Sequence, residues 1–144
     1  MLSDRTISAL TGISKATRQN AVRIKHLYRI MTRYPDLWVK AYGNIYSNKG
    51  ALTAGVDEGN TLDGMSKERI EGLIQKIQDG RYQPRPVRRV YIPKKNGKLR
   101  PLGVPTADDK LVQEVMRMLL EQIYEPVFSD RSHGFRPGRS CHTA

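Results

Sequence analysis

The sequence predicts an α+β chain in which amphipathic helices pack a basic antiparallel β-hairpin. Two helical segments and the stretch between them carry this reading. Ile70, Leu73, Ile74 and Ile77 fall at i, i+3, i+4 and i+7, and Leu111, Val112, Val115, Leu119 and Ile123 repeat the helical period further on. Between them, Val87 to Ile92 is rich in β-branched and aromatic residues, Asn96-Gly97 offers a two-residue hairpin turn, and Leu99 to Val104 returns.

From about Lys15 to Tyr34 neither Pro nor Gly interrupts the chain. Val22, Leu27, Ile30, Met31 and Tyr34 recur at near-helical spacing, which predicts one amphipathic helix. Arg18, Lys25 and Arg29 stand seven and four apart on it and would share a basic face. Pro35 ends that helix, and Asp36 is the expected N-cap of the next, whose apolar side is Leu37, Trp38, Ala41, Tyr42 and Ile45. Asn48 to Gly64 contains four glycines and few apolar residues, the composition of an extended surface loop. Ser66 caps a helix over 66–79 and Gly80 is placed to end it. Pro93 and Pro101 cannot donate ladder hydrogen bonds, so parts of both strands should lie at an edge or bulge. Thr106 followed by Asp109 resembles a capping box opening a helix over 106–124, which stops before Pro126.

The chain has 144 residues, 25 Lys+Arg against 14 Asp+Glu, a formal charge of +11 and a pI near 10. That length suits one ordinary domain, or a small domain with a helical appendage, and a hydrophobic content of 38% supports a modest core. No apolar run exceeds three residues, which excludes a helical membrane span. The N-terminus lacks the basic and apolar regions of a secretory signal, and Cys141, alone, cannot form an internal disulfide, so a reducing cytoplasm is expected. Charge is concentrated in two blocks: residues 1–47 carry 8 basic and 2 acidic groups, and residues 81–105 carry 8 basic and none acidic. Solvated faces normally mix signs, so an acid-free block points to a polyanionic partner such as nucleic acid.

Lys94, Lys95, Lys98 and Arg100 surround the expected turn, and Arg88 and Arg89 extend the same cationic patch. Cations on a short ribbon can close on phosphate or lie along a nucleic-acid backbone, although lysines also protect an exposed edge strand from aggregation. Tyr82 and Tyr91 could supply stacking surfaces among these charges, or simply pack. Asp108-Asp109 does not read as a metal site, because neighbouring residues at a helix start diverge and first-turn acids answer the macrodipole. His26, His133, His142 and Cys141 lack ligand-like spacing, and Ser132, His133 and Ser140 sit in a Gly/Pro-rich stretch that reads as turn chemistry.

Three blocks, Arg88 to Thr106, Asp109-Lys110-Leu111-Val112-Gln113, and Gly134-Phe135-Arg136-Pro137-Gly138-Arg139-Ser140, together resemble the fingers region of group II intron-encoded reverse transcriptases. Upstream, Asn48-Lys49-Gly50-Ala51, Gly55-Val56-Asp57 and Thr61-Leu62-Asp63-Gly64 are similar to that family's N-terminal loop block. The resemblance implies a division into a basic helical N-terminal extension, 1–47, and a fingers subdomain, 48–144. It implies a parent that is an RNA-directed DNA polymerase and maturase, with group II intron RNA, an RNA template, a DNA primer and dNTP as partners and no membrane. The compartment would be the bacterial cytoplasm or an organelle.

In related polymerases a Lys and an Arg on the fingers hairpin contact the incoming triphosphate, and the matching positions are Lys94 and Arg100. The apolar residues that cover the templating base match Leu102 and Val104, with Gly103 allowing close approach. Arg136 and Arg139 match a block near the template path. The resemblance gives the N-terminal extension an RNA-gripping role, with Lys15, Arg18, Arg23, Lys25, Arg29 and Arg33 as its contacts, beside Arg88, Arg89, Lys95 and Lys98 on the hairpin. The family's catalytic aspartates, which hold Mg²⁺ on palm strands, have no match here, and Thr106-Ala107-Asp108-Asp109 is not their turn. These 144 residues are therefore expected to have no cofactor and no polymerase activity alone. A stand-alone, non-catalytic RNA-binding splicing cofactor is the alternative.

Overall fold

The computed structural model describes residues 1–20, 23–48 and 50–144. Val22, assigned to a helical apolar face, and Lys49, in the loop block, lie outside the described residues. Helix α1 spans Asp4–Arg18; the Ser3 hydroxyl accepts the Thr6 N–H at 3.3 Å, Asp4 lies in the first turn and Lys15 and Arg18 in the last, each sign favourable to the macrodipole. Thr6, Leu10 and Ile13 are its buried side.

The single helix expected over 15–34 is not formed. Helix α1 ends at Arg18, and a second helix, α2, covers Leu27–Arg33. Asn20 (φ +55°) and His26 (φ +66°) occupy the left-handed region on either side of the break. Asn tolerates that conformation through its short polar side chain, so it can stop a helix as Gly does. Arg18, Lys25 and Arg29 consequently sit on the end of α1, on the connection and on α2, not on one helical face.

Helix α3 (Pro35–Tyr46) starts with Pro35 in its first turn and Tyr34 as N-cap, so Asp36 is not the cap. Its carboxylate instead accepts the Ser3 N–H at 2.8 Å and the Thr6 hydroxyl at 2.7 Å, stitching the start of α1 to the start of α3. Burial would raise the Asp36 pKa, but these hydrogen bonds outweigh it and hold the carboxyl below its ordinary range.

Residues 50–64 have no regular secondary structure, as expected; most are exposed, but Ala51, Gly55 and Leu62 are buried and pin the segment to the helices. Leu62 is fully buried and forms a small cluster with Ala51 and Ala107, roofed by Tyr42, Ile45 and Met65. The Lys110 ammonium donates to the Ala51 and Thr53 carbonyls at 3.2 and 2.7 Å, and burial lowers its pKa. Gly55 lies so close to the backbone of Pro105 and Thr106 that a Cβ there would stand 2.8 Å from each.

Helix α4 (Lys67–Gln78) is capped by Ser66, whose hydroxyl accepts the Arg69 N–H at 3.1 Å. It ends in a Schellman motif: Gly80 is left-handed, its N–H donates to Ile77 and the Arg81 N–H donates to Lys76. Strands β1 (Arg88–Pro93) and β2 (Leu99–Val104) form a two-stranded antiparallel sheet. Helix α5 (Ala107–Tyr124) starts at buried Thr106, which accepts the Asp109 N–H at 3.3 Å, and a 3₁₀ turn follows at Glu125–Val127.

Leu111, Val115 and Leu119 of α5 form the centre of the main core, together with Leu10 and Ile13 of α1, Met31 of α2, Leu37, Trp38 and Ala41 of α3 and the apolar side of α4. Trp38 is fully buried, and its indole N–H donates to the Met31 carbonyl at 2.8 Å. The described residues thus form an α+β fold. In the hairpin Val104 is buried and Val90 half-buried, and the rest of it is exposed.

Candidate functional site

The hairpin turn is one residue longer than the two-residue turn expected from Asn96-Gly97. The Gly97 N–H donates to the Lys94 carbonyl at 3.0 Å, Gly97 is left-handed at φ +78°, and the Lys94 N–H donates to the Lys98 carbonyl at 2.7 Å. This is a three-residue loop closed by a glycine bulge. A two-residue turn of the mirror-image type would need positive φ at Asn96 as well, which Asn96 does not have.

Loop length decides which charges meet. With Lys94 paired to Lys98, the register runs Ile92 to Arg100, Val90 to Leu102 and Arg88 to Val104. Arg88, Val90, Ile92 and Lys94 therefore share one face with Arg100, Leu102 and Val104. Lys94 and Arg100 are diagonal neighbours on it, their backbones about 7 Å apart. A two-residue turn would have placed Arg100 beside Pro93 and sent the two cations to opposite faces. Alternation from the bonded Lys94–Lys98 pair also puts Pro93 and Pro101 at non-bonded positions, where a missing N–H costs the ladder nothing.

Lys94 and Arg100, and with them Arg88, Arg89, Lys95 and Lys98, are exposed, and none of these side chains makes an ion pair or hydrogen bond among the described residues. Leu102 is exposed, Val104 is buried at the root, and Gly103 admits Val87, whose methyl would stand 2.9 Å from a Cβ at that position. Lys15, Arg18, Arg23, Lys25, Arg29 and Arg33 are all exposed, distributed over α1, the connection and α2.

Arg136 is placed differently from the expectation of a template contact. Its side chain is only 5% exposed. Its guanidinium holds the Glu125 carboxylate at 2.9 Å and donates to the Ser129 and Ser132 carbonyls at 2.8 and 2.7 Å, and its carbon lies 5.3 Å from the Phe128 ring centre. Arg136 is thus a clamp inside the turn that follows α5, and the same ion pair holds the Glu125 carboxyl below its ordinary pKa range. Arg139 is half-exposed and donates to the Asp130 carbonyl at 2.6 Å.

Tyr82 is half-buried, with its hydroxyl donating to the Asp109 carboxylate, so its ring is held against the fold, whereas Tyr91 is open. Burial first, and then that hydrogen bond, raise the Tyr82 pKa well above the usual phenol range. Asp109 also accepts the Arg85 N–H at 2.8 Å, three residues before β1, and so anchors the segment that enters the hairpin. Asp108 pairs with Arg69 at 2.8 Å and accepts from the Asn60 amide at 3.0 Å. With their oxygens so engaged, Asp108 and Asp109 do not suit a metal ion, and no group of three or more His, Cys, Asp or Glu among the described residues does. No helix among the described residues is long and apolar enough to cross a membrane.

Periodicity missed an exposed apolar strip on the far side of α5, made by Met116, Leu120 and Tyr124 and continued by Phe128 and Phe135. The only signal for it was the presence of apolar residues outside the buried stripe.

Residues 92–144 match the reverse transcriptase (RNA-dependent DNA polymerase) family. The chain is 55% identical over 141 residues to the group II intron-encoded protein LtrA of Lactococcus lactis subsp. cremoris, covering 96% of this chain and 23% of that protein. It is 42% identical over 144 residues to an uncharacterized 91 kDa protein in the cob intron of Schizosaccharomyces pombe, covering 99% of this chain and 18% of that one. It is 45% identical over 133 residues to protein YkfC of Escherichia coli, covering 90% and 34%. The chain therefore spans a third or less of the length of these relatives, to within a percent.

Proposed function

This chain belongs to the group II intron-encoded reverse transcriptase/maturase family, and from that premise we propose that it forms the RNA-gripping extension and fingers of an RNA-directed DNA polymerase and maturase. Residues 1–47 are the basic extension toward intron RNA, and 48–144 are the fingers, a division of task laid over one continuous core. Lys94 and Arg100 bind the triphosphate of the incoming dNTP by charge-assisted hydrogen bonds. Exposed Leu102 lines the templating base, with Gly103 and buried Val104 holding that end of β2 in place, and Arg139 lies toward the template strand. Arg136 positions that segment from within. Mg²⁺ and the carboxylates that hold it belong to another part of the whole enzyme, acting with an RNA template and a DNA primer. The compartment of such a protein is the bacterial cytoplasm or an organelle.

The observation that carries this reading is the register that gathers Lys94 and Arg100 on one face of an exposed ribbon without acidic residues. In a full-length enzyme, Lys94→Ala and Arg100→Ala each raise the KM for dNTP while RNA binding persists. An unchanged nucleotide requirement rejects the triphosphate role. For these 144 residues alone, primer extension should be absent. Contacts to about four phosphates should give a log-log salt slope near −3 on single-stranded RNA. Charge reversal at Arg18, Lys25 and Arg29 should weaken binding to the cognate intron arm more than to random RNA, and equal losses would remove the intron-specific role.

A further inference from the structure

The hairpin has a second face that Lys94, Arg100, Leu102 and Val104 do not share; Gly103, covered by Val87, is its one residue from the stretch assigned to the template. Alternation puts Val87, Arg89, Tyr91 and Pro93 on it with Leu99 and Pro101, Tyr91 standing opposite Pro101. This face does not rest on the helical body: Val87 is 54%, Tyr91 57% and Leu99 60% exposed. An open apolar and aromatic surface on a two-stranded ribbon is a liability unless something covers it.

The chemistry of the ribbon narrows what covers it. Pro93 and Pro101 each remove an outward backbone donor, one from each edge, so addition of a partner strand is disfavoured and the side-chain face is what the hairpin offers. Residues 81–105 hold eight cations and no acid, with Arg89 beside Tyr91 on this face and Lys95 in the turn. Arg81 pairs with Asp79, but the six cations of the hairpin have no partner among the described residues, and a protein partner would have to bring apolar surface up to that charge. An unpaired nucleic-acid strand brings both complements at once, phosphates for the cations and base faces for the ring.

We propose that this outer face is a stacking platform for unpaired RNA, in which a base lies on the Tyr91 ring and the adjoining phosphate meets Arg89. The platform rests on the RNA-binding reading above and adds to it a second, base-dependent contact on the side of the hairpin away from the triphosphate site. Every base has a flat face, so the platform is indifferent to sequence.

The test uses the whole 144-residue chain with two probes of equal length and charge, a 12-nucleotide oligouridylate and its abasic counterpart. Because Trp38 is buried and hydrogen-bonded, it supplies a constant background, and Tyr91→Trp places a reporter on the platform. Oligouridylate should quench the new tryptophan and the abasic strand should not. Tyr91→Ala should weaken oligouridylate binding about fivefold or more and leave the abasic strand unaffected. Tyr91 is exposed, so both variants should melt with the parent chain. If the chain binds oligouridylate and the abasic strand alike, and Tyr91→Ala changes neither, the platform is overturned while the RNA-binding reading stands. If the parent chain binds neither probe, both fall. If the chain sediments as a dimer that Tyr91→Ala or Leu99→Ala dissolves, a second copy covers this face and the proposal is wrong.

Discussion

Asp109→Ala tests whether the entrance to the hairpin is held by one carboxylate. Asp109 is 3% exposed and accepts two hydrogen bonds, from the Tyr82 hydroxyl and from the Arg85 N–H at 2.8 Å. A hydrogen bond to a charged acceptor contributes about 1.5–3 kcal/mol, so two bonds set an upper range of about 3–6 kcal/mol. Arg85 is exposed and Tyr82 half-exposed, so water recovers part of the loss. The expected destabilisation is then about 2–4 kcal/mol, a large share of the roughly 5–15 kcal/mol typical of a domain. Urea unfolding followed through the buried Trp38 measures it. Tyr82→Phe alone should cost about 1 kcal/mol, and adding it to Asp109→Ala should cost almost nothing more, because the shared bond is already gone. A loss below about 0.5 kcal/mol for Asp109→Ala, or strict additivity of the pair, would refute the anchor.

Asp36→Asn should loosen the start of α1 by about 1 kcal/mol at neutral pH. The folded pKa of Asp36 is lowered, so its contribution is present above the ordinary carboxylate range and fades as pH falls through the folded value. Acid unfolding of the parent chain, but less of the variant, should therefore steepen below about pH 4. Gly55→Ala drives a methyl to 2.8 Å from the backbone of Pro105 and Thr106, and should cost about 1–3 kcal/mol in denaturant melts; a neutral effect would show that the loop over 48–64 is not seated there. Arg136→Lys keeps the charge but cannot span Glu125, Ser129 and Ser132 together, so trypsin should cut after Arg131 several-fold faster, and an unchanged rate removes the clamp. Alkaline titration should show Tyr82 ionising above the ordinary phenol range, and the stability tied to its raised pKa should decline as pH rises above about 10.

Local pattern alone was enough for α4, α5 and the hairpin, since the helical period of Ile70 to Ile77, the Ser66 and Thr106 caps, the β-branched and aromatic run of β1 and the Asn96-Gly97 signal before β2 are all written within a few residues of where they act. The break between α1 and α2 escaped because Asn20 does locally what a glycine would have announced. The cationic block of the hairpin was also plain in the sequence, since charge is counted without knowing the fold. Which of those cations share a face was not: it depends on a single residue of loop length, and one step of register reverses every side chain in a strand.

Burial and pairing belong to the tertiary structure as well. Asp36 reaches Ser3 across 33 residues, Asp109 reaches Tyr82 across 27, and Arg136 folds back 11 residues to Glu125, so none of these partnerships has a local signature. A carboxylate or guanidinium near its own kind of motif reads as a cap or a ligand contact until the fold brings a distant group within about 3 Å, and desolvation then makes that pairing the dominant interaction. The sequence by itself determined where the charge lies and that α3, α4, α5 and the two strands would form. The packing decided which of those charges were paired inside and which stayed exposed.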